Sequence, residues 1–297
     1  EPNSASTGDV ILFGTASEGE ELTVETSTIA DIDGLGEFTY VWLRGGSEIS
    51  GENAAYYTLT QADVGAPITA QVSYEDGNGI VETLTSDPTA EVENVNDTPT
   101  GGVSISGTAT QGETLSADTS LLEDVDGLGA LSYQWKRDGA DISGATADSY
   151  TLVQNDVGAA ITLVVNYTDD YGADESLTSS ATSGVSNVND APTGGGSISG
   201  TATQGETLNA DTSLLEDVDG LGALSYKWKR GGADIPGANV DSYTLTQSDV
   251  GAAVTVEVSY LDVQGTAESV TSPSTAAVET WDLNLIGTPD ADILRGG

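Results

Sequence analysis

Paired carboxylates followed by glycines recur at a fixed interval along this chain. Asp124-Val125-Asp126-Gly127-Leu128-Gly129 returns as Asp217-Val218-Asp219-Gly220-Leu221-Gly222 and, with one change, as Asp31-Ile32-Asp33-Gly34-Leu35-Gly36, in steps of 93 residues. Two carboxylates at i and i+2, ahead of a tight turn that glycine permits, can aim their oxygens at one point. Clustered oxygen ligands are what a hard cation such as calcium takes. A second group, Asn94-Val95-Asn96-Asp97 and again Asn187-Val188-Asn189-Asp190, lies about 30 residues upstream of the second and third copies. The expectation is that the two groups meet at each junction between repeats and hold calcium there. As an EF-hand the motif fails, because glycine follows the second Asp directly and no closing Glu is correctly spaced. As a plain turn it is acceptable, since Asp and Gly favour turns without any metal. Its pairing with the upstream group favours the cation.

Other polar clusters read as structural. Glu75-Asp76, Asp169-Asp170 and Asp262 fall in a hairpin turn and are expected to be solvated there, although they could add ligands. Asp63, Asp156 and Asp249 are expected to serve a turn rather than a metal. Six of the seven basic residues, Arg44, Lys136, Arg137, Lys227, Lys229 and Arg230, flank a tryptophan. The tryptophan is expected in the core, with its alternate neighbours facing outward to offset an acidic surface.

The elements that must position these groups are strands. Tyr133-Gln134-Trp135 matches Tyr40-Val41-Trp42 and Tyr226-Lys227-Trp228, and Tyr150 to Gly158 matches Tyr57 to Gly65 and Tyr243 to Gly251. Apolar residues alternate with polar ones at Ile161, Leu163, Val165 and Tyr167, and at the same positions of the other copies, which is the period of a half-buried strand. Turn signals such as Asp138-Gly139 and Gly231-Gly232 separate the runs, and no helical period of useful length occurs. About seven short strands in ~93 residues with a tryptophan on the third describe a β-sandwich.

The totals narrow the function. In 297 residues, 48 acidic side chains face seven basic ones, for a net charge of −41. Such a chain repels nucleic acid and anionic membrane. It contains no cysteine and no histidine, so disulfides, thiolate chemistry and the commonest general base are excluded. No apolar run approaches the ~18 residues of a membrane span. The chain opens on Glu1 with no signal peptide before it, and the expectation is a mature product or an excised piece of something longer.

On the Tyr-x-Trp stretch and the segment from Tyr150 through Asp156-Val157-Gly158 to Tyr167, the repeats resemble immunoglobulin-like modules. The cysteine pair of that family is missing, and Tyr74, Tyr167 and Tyr260 stand near its second position. The Asn-Val-Asn-Asp-(Thr/Ala)-Pro linkers, with Asp-x-Asp-Gly ~27 residues on, are similar to cadherin-like repeats. That resemblance implies shared interdomain calcium, with Asn94, Asn96 and Asp97 joining Asp124 and Asp126, and Asn187, Asn189 and Asp190 joining Asp217 and Asp219. Asn94 and Asn187 stand where the family usually has Asp. Asp31 and Asp33 have no complete linker before them, and their site is expected to be half-built. Gly287 to Gly297, ending Asp290-Ala291-Asp292-Ile293-Leu294-Arg295-Gly296-Gly297, resembles the entry to an RTX nonapeptide array.

The expected architecture is all-β: three tandem immunoglobulin-like (cadherin-like) sandwich modules at residues 1–96, 97–189 and 190–280 in an elongated array, followed by the start of an RTX-like calcium-binding segment at 281–297. The resemblance to tandem repeats of large bacterial RTX adhesins implies type I secretion, a secreted or cell-surface location in a Gram-negative bacterium, and a monomeric, non-catalytic, calcium-rigidified extender. Any host or matrix glycan or protein would bind through regions outside these residues. The rival readings are modules that bind extracellular polysaccharide, and an accessory region of a secreted enzyme.

Overall fold

The computed structural model describes residues 3–281. In the first repeat the strands are β1 (Ile11–Phe13), β2 (Glu21–Glu25), β3 (Thr39–Arg44), β4 (Ser47–Glu48), β5 (Tyr56–Thr58), β6 (Ile68–Glu75) and β7 (Val81–Thr85). The second carries β8 (Ser104–Ser106), β9 (Thr114–Asp118), β10 (Ser132–Arg137), β11 (Ala140–Asp141), β12 (Ser149–Thr151), β13 (Ile161–Thr168) and β14 (Asp174–Thr178). The third carries β15 (Ser197–Ser199), β16 (Thr207–Asp211), β17 (Ser225–Arg230), β18 (Ala233–Asp234), β19 (Ser242–Thr244), β20 (Val254–Leu261) and β21 (Ala267–Thr271). Each repeat forms one three-stranded sheet (β1-β2-β5 in the first) and one four-stranded sheet (β4-β3-β6-β7). With the third and sixth strands paired at the centre of the larger sheet, this is the strand arrangement of an immunoglobulin-like sandwich. Among the described residues the helical segments are short 3-10 turns at Gln61–Asp63, Gln154–Asp156 and Gln247–Asp249. None is long and apolar enough to cross a membrane.

The alternating pattern predicted from the sequence is the burial pattern observed. Ile68, Ala70, Val72 and Tyr74 of β6 are buried, as are Ile161, Leu163, Val165 and Tyr167 of β13 and Val254, Val256, Val258 and Tyr260 of β20. Trp42, Trp135 and Trp228 are fully buried. Each indole N–H donates to a backbone carbonyl, of Ala54, Ala147 and Val240 respectively, at 2.9 Å. That bond matters because a buried indole without an acceptor would forfeit part of what its apolar area contributes.

Packing divides the chain into two compact units. Among the described residues, one comprises 3–107 with Leu115–Tyr150 and Ile161–Thr182; the other comprises Thr108–Thr114, Thr151–Ala160 and 183–281. In the first unit Trp42 packs on Tyr57 with ring centroids 5.6 Å apart, alongside Leu22, Leu59, Ile68 and Ala70. In the second, Trp228 and Tyr243 lie 5.9 Å apart within a core that includes Leu208, Leu245 and Val256.

Two expectations are corrected here. Arg44 and Arg230 do not simply face outward to balance surface charge. Arg44 Nε donates to Asp63 Oδ1 at 2.7 Å, and Arg230 Nε to Asp249 Oδ1 at 2.6 Å, and both carboxylates are 0% exposed. Asp63 also accepts from Tyr57 Oη, the Thr60 amide and Thr60 Oγ1 at 2.8–2.9 Å. A buried carboxylate is tolerated only when so many donors converge on it. Burial by itself would raise its pKa, but the Thr60 amide, the Arg44 guanidinium and the Tyr57 hydroxyl together hold Asp63 below the ordinary carboxylate range. Lys136 behaves as expected, pairing with Asp141 at 2.6 Å on the surface. Second, three of the hairpin-turn carboxylates are not solvated: Asp76, Asp169 and Asp262 are 5%, 6% and 5% exposed, whereas Glu75 and Asp170 are exposed as expected. The RTX-like stretch beyond Trp281 lies outside the described residues.

Candidate metal centre

Each Asp-x-Asp loop folds on itself and is then braced from two sides. The amide of the second Asp donates to Oδ1 of the first, at 2.9 Å for Asp33 to Asp31 and for Asp126 to Asp124, and at 2.8 Å for Asp219 to Asp217. The other oxygen of the first Asp accepts a tyrosine hydroxyl from the sixth strand of the same repeat: Tyr74 to Asp31, Tyr167 to Asp124, Tyr260 to Asp217. The hairpin turn that follows closes over the loop, with the Gly77 amide donating to the Asp33 carbonyl and the Asp170 amide to that of Asp126. The glycines permit this approach. Gly127 has φ +96°, and a Cβ on Gly129 would lie 2.0 Å from the Thr168 carbonyl oxygen, so no other residue fits there.

The two carboxylates of each pair thus differ. The first has both oxygens engaged by its own repeat. The second turns toward the chain that arrives from the preceding repeat. The Asp97 amide donates to Asp126 Oδ2 at 2.6 Å, and the Asp190 amide to Asp219 Oδ2 at 2.7 Å. The linker group and the Asp-x-Asp loop therefore meet. Asn96 Nδ2 donates to Glu175 Oε1 at 2.9 Å, and Asn189 Nδ2 to Glu268 Oε1 at 2.7 Å.

The preceding repeat supplies further oxygens that the sequence reading passed over. A short parallel bridge between Ser17 and Glu93, with the Glu18 amide donating to the Glu93 carbonyl at 2.9 Å, pins the loop at Glu18 against the outgoing linker. Glu18, Asp97 and Asp126 consequently place carboxylate oxygens within 4.8 Å of one another. A second group with the same spacing, Asp31, Asp76 and Glu82, forms within the first repeat alone. Ahead of it, Asn3 Nδ2 donates to Glu82 Oε1 at 2.6 Å and the Ser4 amide to Asp33 Oδ2 at 2.7 Å. These two contacts repeat the linker pattern at the first Asp-x-Asp pair. Position within the period could have flagged the missed residues, since Glu82, Glu175 and Glu268 recur at 93-residue steps.

A test of fit comes from buried polar atoms that lack any hydrogen-bond partner. Among the described residues these are Gln61 Oε1, Asp76 Oδ2, Asn94 Oδ1, Asp126 Oδ1, Gln154 Oε1, Asp169 Oδ2, Asn187 Oδ1 and Asp262 Oδ2. Every one is an oxygen, and most recur at equivalent positions of successive repeats. A buried acceptor without a donor costs about 1–3 kcal/mol, and more when charged. A set made only of carboxylate and amide oxygens is relieved by a hard cation, and calcium accepts six to eight of them at 2.3–2.6 Å.

No protein-family model matches this chain, and no curated protein matches it. Solved structures similar to it include an ICAM-5 D1–D4 ectodomain fragment (16% identity, TM-score 0.35, covering 91% of this chain and 75% of that one). Others are a tetra-tandem repeat from the extending region of a large adhesion protein (18%, 0.33, 92% and 76%) and a Ca2+-stabilised, ice-binding adhesin of an Antarctic bacterium (14%, 0.30, 94% and 75%). Identities and scores this low transfer no property to this chain.

Proposed function

We propose that residues 1–96, 97–189 and 190–280 are three modules of a calcium-rigidified extender, a non-catalytic stretch of a secreted or surface-exposed bacterial adhesin that projects another domain outward. The observation that carries this reading is the meeting of Glu18, Asp97 and Asp126, with Asp126 1% exposed and its Oδ1 unpartnered. Three carboxylates from a loop, the linker and the next repeat repel one another unless a cation sits among them. With the cation present, the linker between the two repeats loses its freedom. Asn94, Asn96, Asp97, Asp124 and Asp126 would hold one such centre, together with Glu18. Asn187, Asn189, Asp190, Asp217 and Asp219 would hold the next, and Asp31 and Asp33 would contribute to a centre within the first repeat alongside Asp76 and Glu82. The acidic surface suits an extracellular setting where divalent cations screen it.

The test is thermal unfolding in EDTA, in calcium and in magnesium. Calcium should raise the midpoint by the equivalent of roughly 2.7 kcal/mol at a hundredfold excess over Kd. Magnesium, which demands a tighter octahedron, should do so poorly. An identical midpoint in EDTA and in millimolar calcium overturns the proposal.

A further inference from the structure

One position that recurs in every period differs in chemistry between the junctions. At the first junction the loop residue is Glu18; one period later it is Gln111. Both touch the linker in the same way. The Val95 amide donates to Glu18 Oε2 at 3.4 Å, and the Val188 amide to Gln111 Oε1 at 3.1 Å. That second bond fixes which way the Gln111 amide points, because its nitrogen could not accept from Val188. Gln111 Nε2 is left facing Asp190 and donates to Oδ2 at 3.0 Å. In the first junction the equivalent pair is Glu18 and Asp97, two carboxylates within 4.8 Å.

The second carboxylate of each Asp-x-Asp pair shows the same contrast. Asp219 Oδ1 accepts from Gln154 Nε2 at 3.0 Å. Asp126 Oδ1, in the equivalent place, is buried with no hydrogen-bond partner, although the residue one period before Gln154 is also a glutamine, Gln61. The second junction therefore neutralises its carboxylates with amide donors of its own chain, whereas the first confronts like charges and an orphaned oxygen. Hydrogen bonds to a carboxylate stabilise its anionic form without any metal, and a like charge nearby does the reverse.

Resting on the calcium reading above, we infer that the two junctions are unequal: the first closes only around a divalent cation, while the second is held shut by Gln111, which stands where the first has Glu18, and takes the cation more weakly. To ligate through Asp190 Oδ2, the second junction must first give up its bond from Gln111. It also offers one fewer formal charge, and charge count tunes calcium affinity.

Hydrogen–deuterium exchange read by mass spectrometry on the full chain separates the two linkers. In EGTA the amides of Val95 to Asp97 should exchange at least about tenfold faster than those of Val188 to Asp190. Calcium chloride should slow the first set at lower concentration than it slows the second. Gln111→Glu should make the second linker behave as the first does in EGTA, and Glu18→Gln should protect the first. Equal exchange of both linkers in EGTA, with neither substitution shifting it, overturns the inequality while leaving calcium binding intact if calcium then slows both. If calcium slows neither linker, the calcium reading fails and the inference falls with it.

Discussion

Tyr74 Oη donates a 2.6 Å hydrogen bond to Asp31 Oδ2, joining the end of the core strand β6 to the first carboxylate of its Asp-x-Asp loop. Tyr167 and Asp124 make the same bond, as do Tyr260 and Asp217, each at 2.5 Å. The tyrosine is 2–4% exposed in all three repeats. It hands the geometry of the sandwich core to the loop, so that loop position follows from core packing rather than from the loop's own sequence.

Burial first, and the bond to Asp31 next, push the Tyr74 hydroxyl up to about 12; the same causes raise Tyr167 and Tyr260. An unfolded tyrosine ionises near 10. The stability this bond contributes is fully present below pH ~10 and is lost as pH rises toward 12, because the folded state there holds more protons than the unfolded one. Denaturant titrations at pH 9 and pH 11.5 should show that loss. Tyr74→Phe should flatten the first repeat's share of the pH dependence and cost roughly 1.5–3 kcal/mol at pH 7, since the bond is to a charged acceptor.

Asp63→Ala should destabilise the protein by about 3 kcal/mol or more, because it strips partners from Arg44, Tyr57 and the Thr60 amide at one stroke. Asp249→Ala should do the same in the third repeat, where Arg230, Tyr243 and Thr246 converge on the carboxylate. Both carboxylates have lowered pKa values. Their contribution is therefore present above pH ~4 and disappears as acid titrates them below it. Arg44→Lys, which keeps the charge but not the guanidinium geometry, should cost less than Asp63→Ala, a difference that urea melts of the two variants would measure.

Asp124→Ala together with Asp126→Ala should remove calcium from the first junction, and should also lower the melting midpoint in EDTA because Tyr167 Oη loses its acceptor. Asp76→Asn should remove an ion from the first repeat without affecting either junction. Calorimetric titration of the three proteins gives the stoichiometries. Identical stoichiometry in all three is the result that contradicts these assignments.

Strands of five to eight residues at ~3.4 Å each, with end loops, make a module on the order of 40 Å long, so three modules in line reach roughly 120 Å. Small-angle scattering in calcium should give a maximum dimension near that value, with a broader distance distribution in EDTA. A compact particle in calcium contradicts the extender role even if every ion binds.

The fold was readable because its signals are local. Alternation at Ile161, Leu163, Val165 and Tyr167 gives both strand and face, and the repeat multiplies every signal by three. The meeting of Asp97 with Asp126 was anticipated from spacing and resemblance. Glu18 was not, because its place beside the linker depends on the parallel bridge between Ser17 and Glu93, a pairing across 76 residues that no local pattern encodes. Asp76 was misjudged for a related reason. Hairpin turns usually face water, but here the turn folds onto the Asp-x-Asp loop, where Asp76 Oδ1 accepts the amides of Asn78 and Ile80. Arg44 stands two residues beyond Trp42, so alternation itself puts it on the tryptophan's face, opposite Ile68 and within reach of Asp63; grouping it with the outward lysines next to the tryptophans overlooked that spacing.

Each junction draws its donors from fixed places in the period: a loop near the start of one repeat, the linker at its end, and the Asp-x-Asp loop of the next. Removing residues 94–186 would join Glu93 to Asn187 and set Glu18 before Asp190 and Asp219, restoring a full set of oxygens. Duplicating the same stretch would create a new junction already complete. A gene with this layout can change length by unequal recombination without passing through a broken intermediate. The near-identity of the second and third repeats from Gly107 and Gly200 onward supplies the homology such an exchange requires.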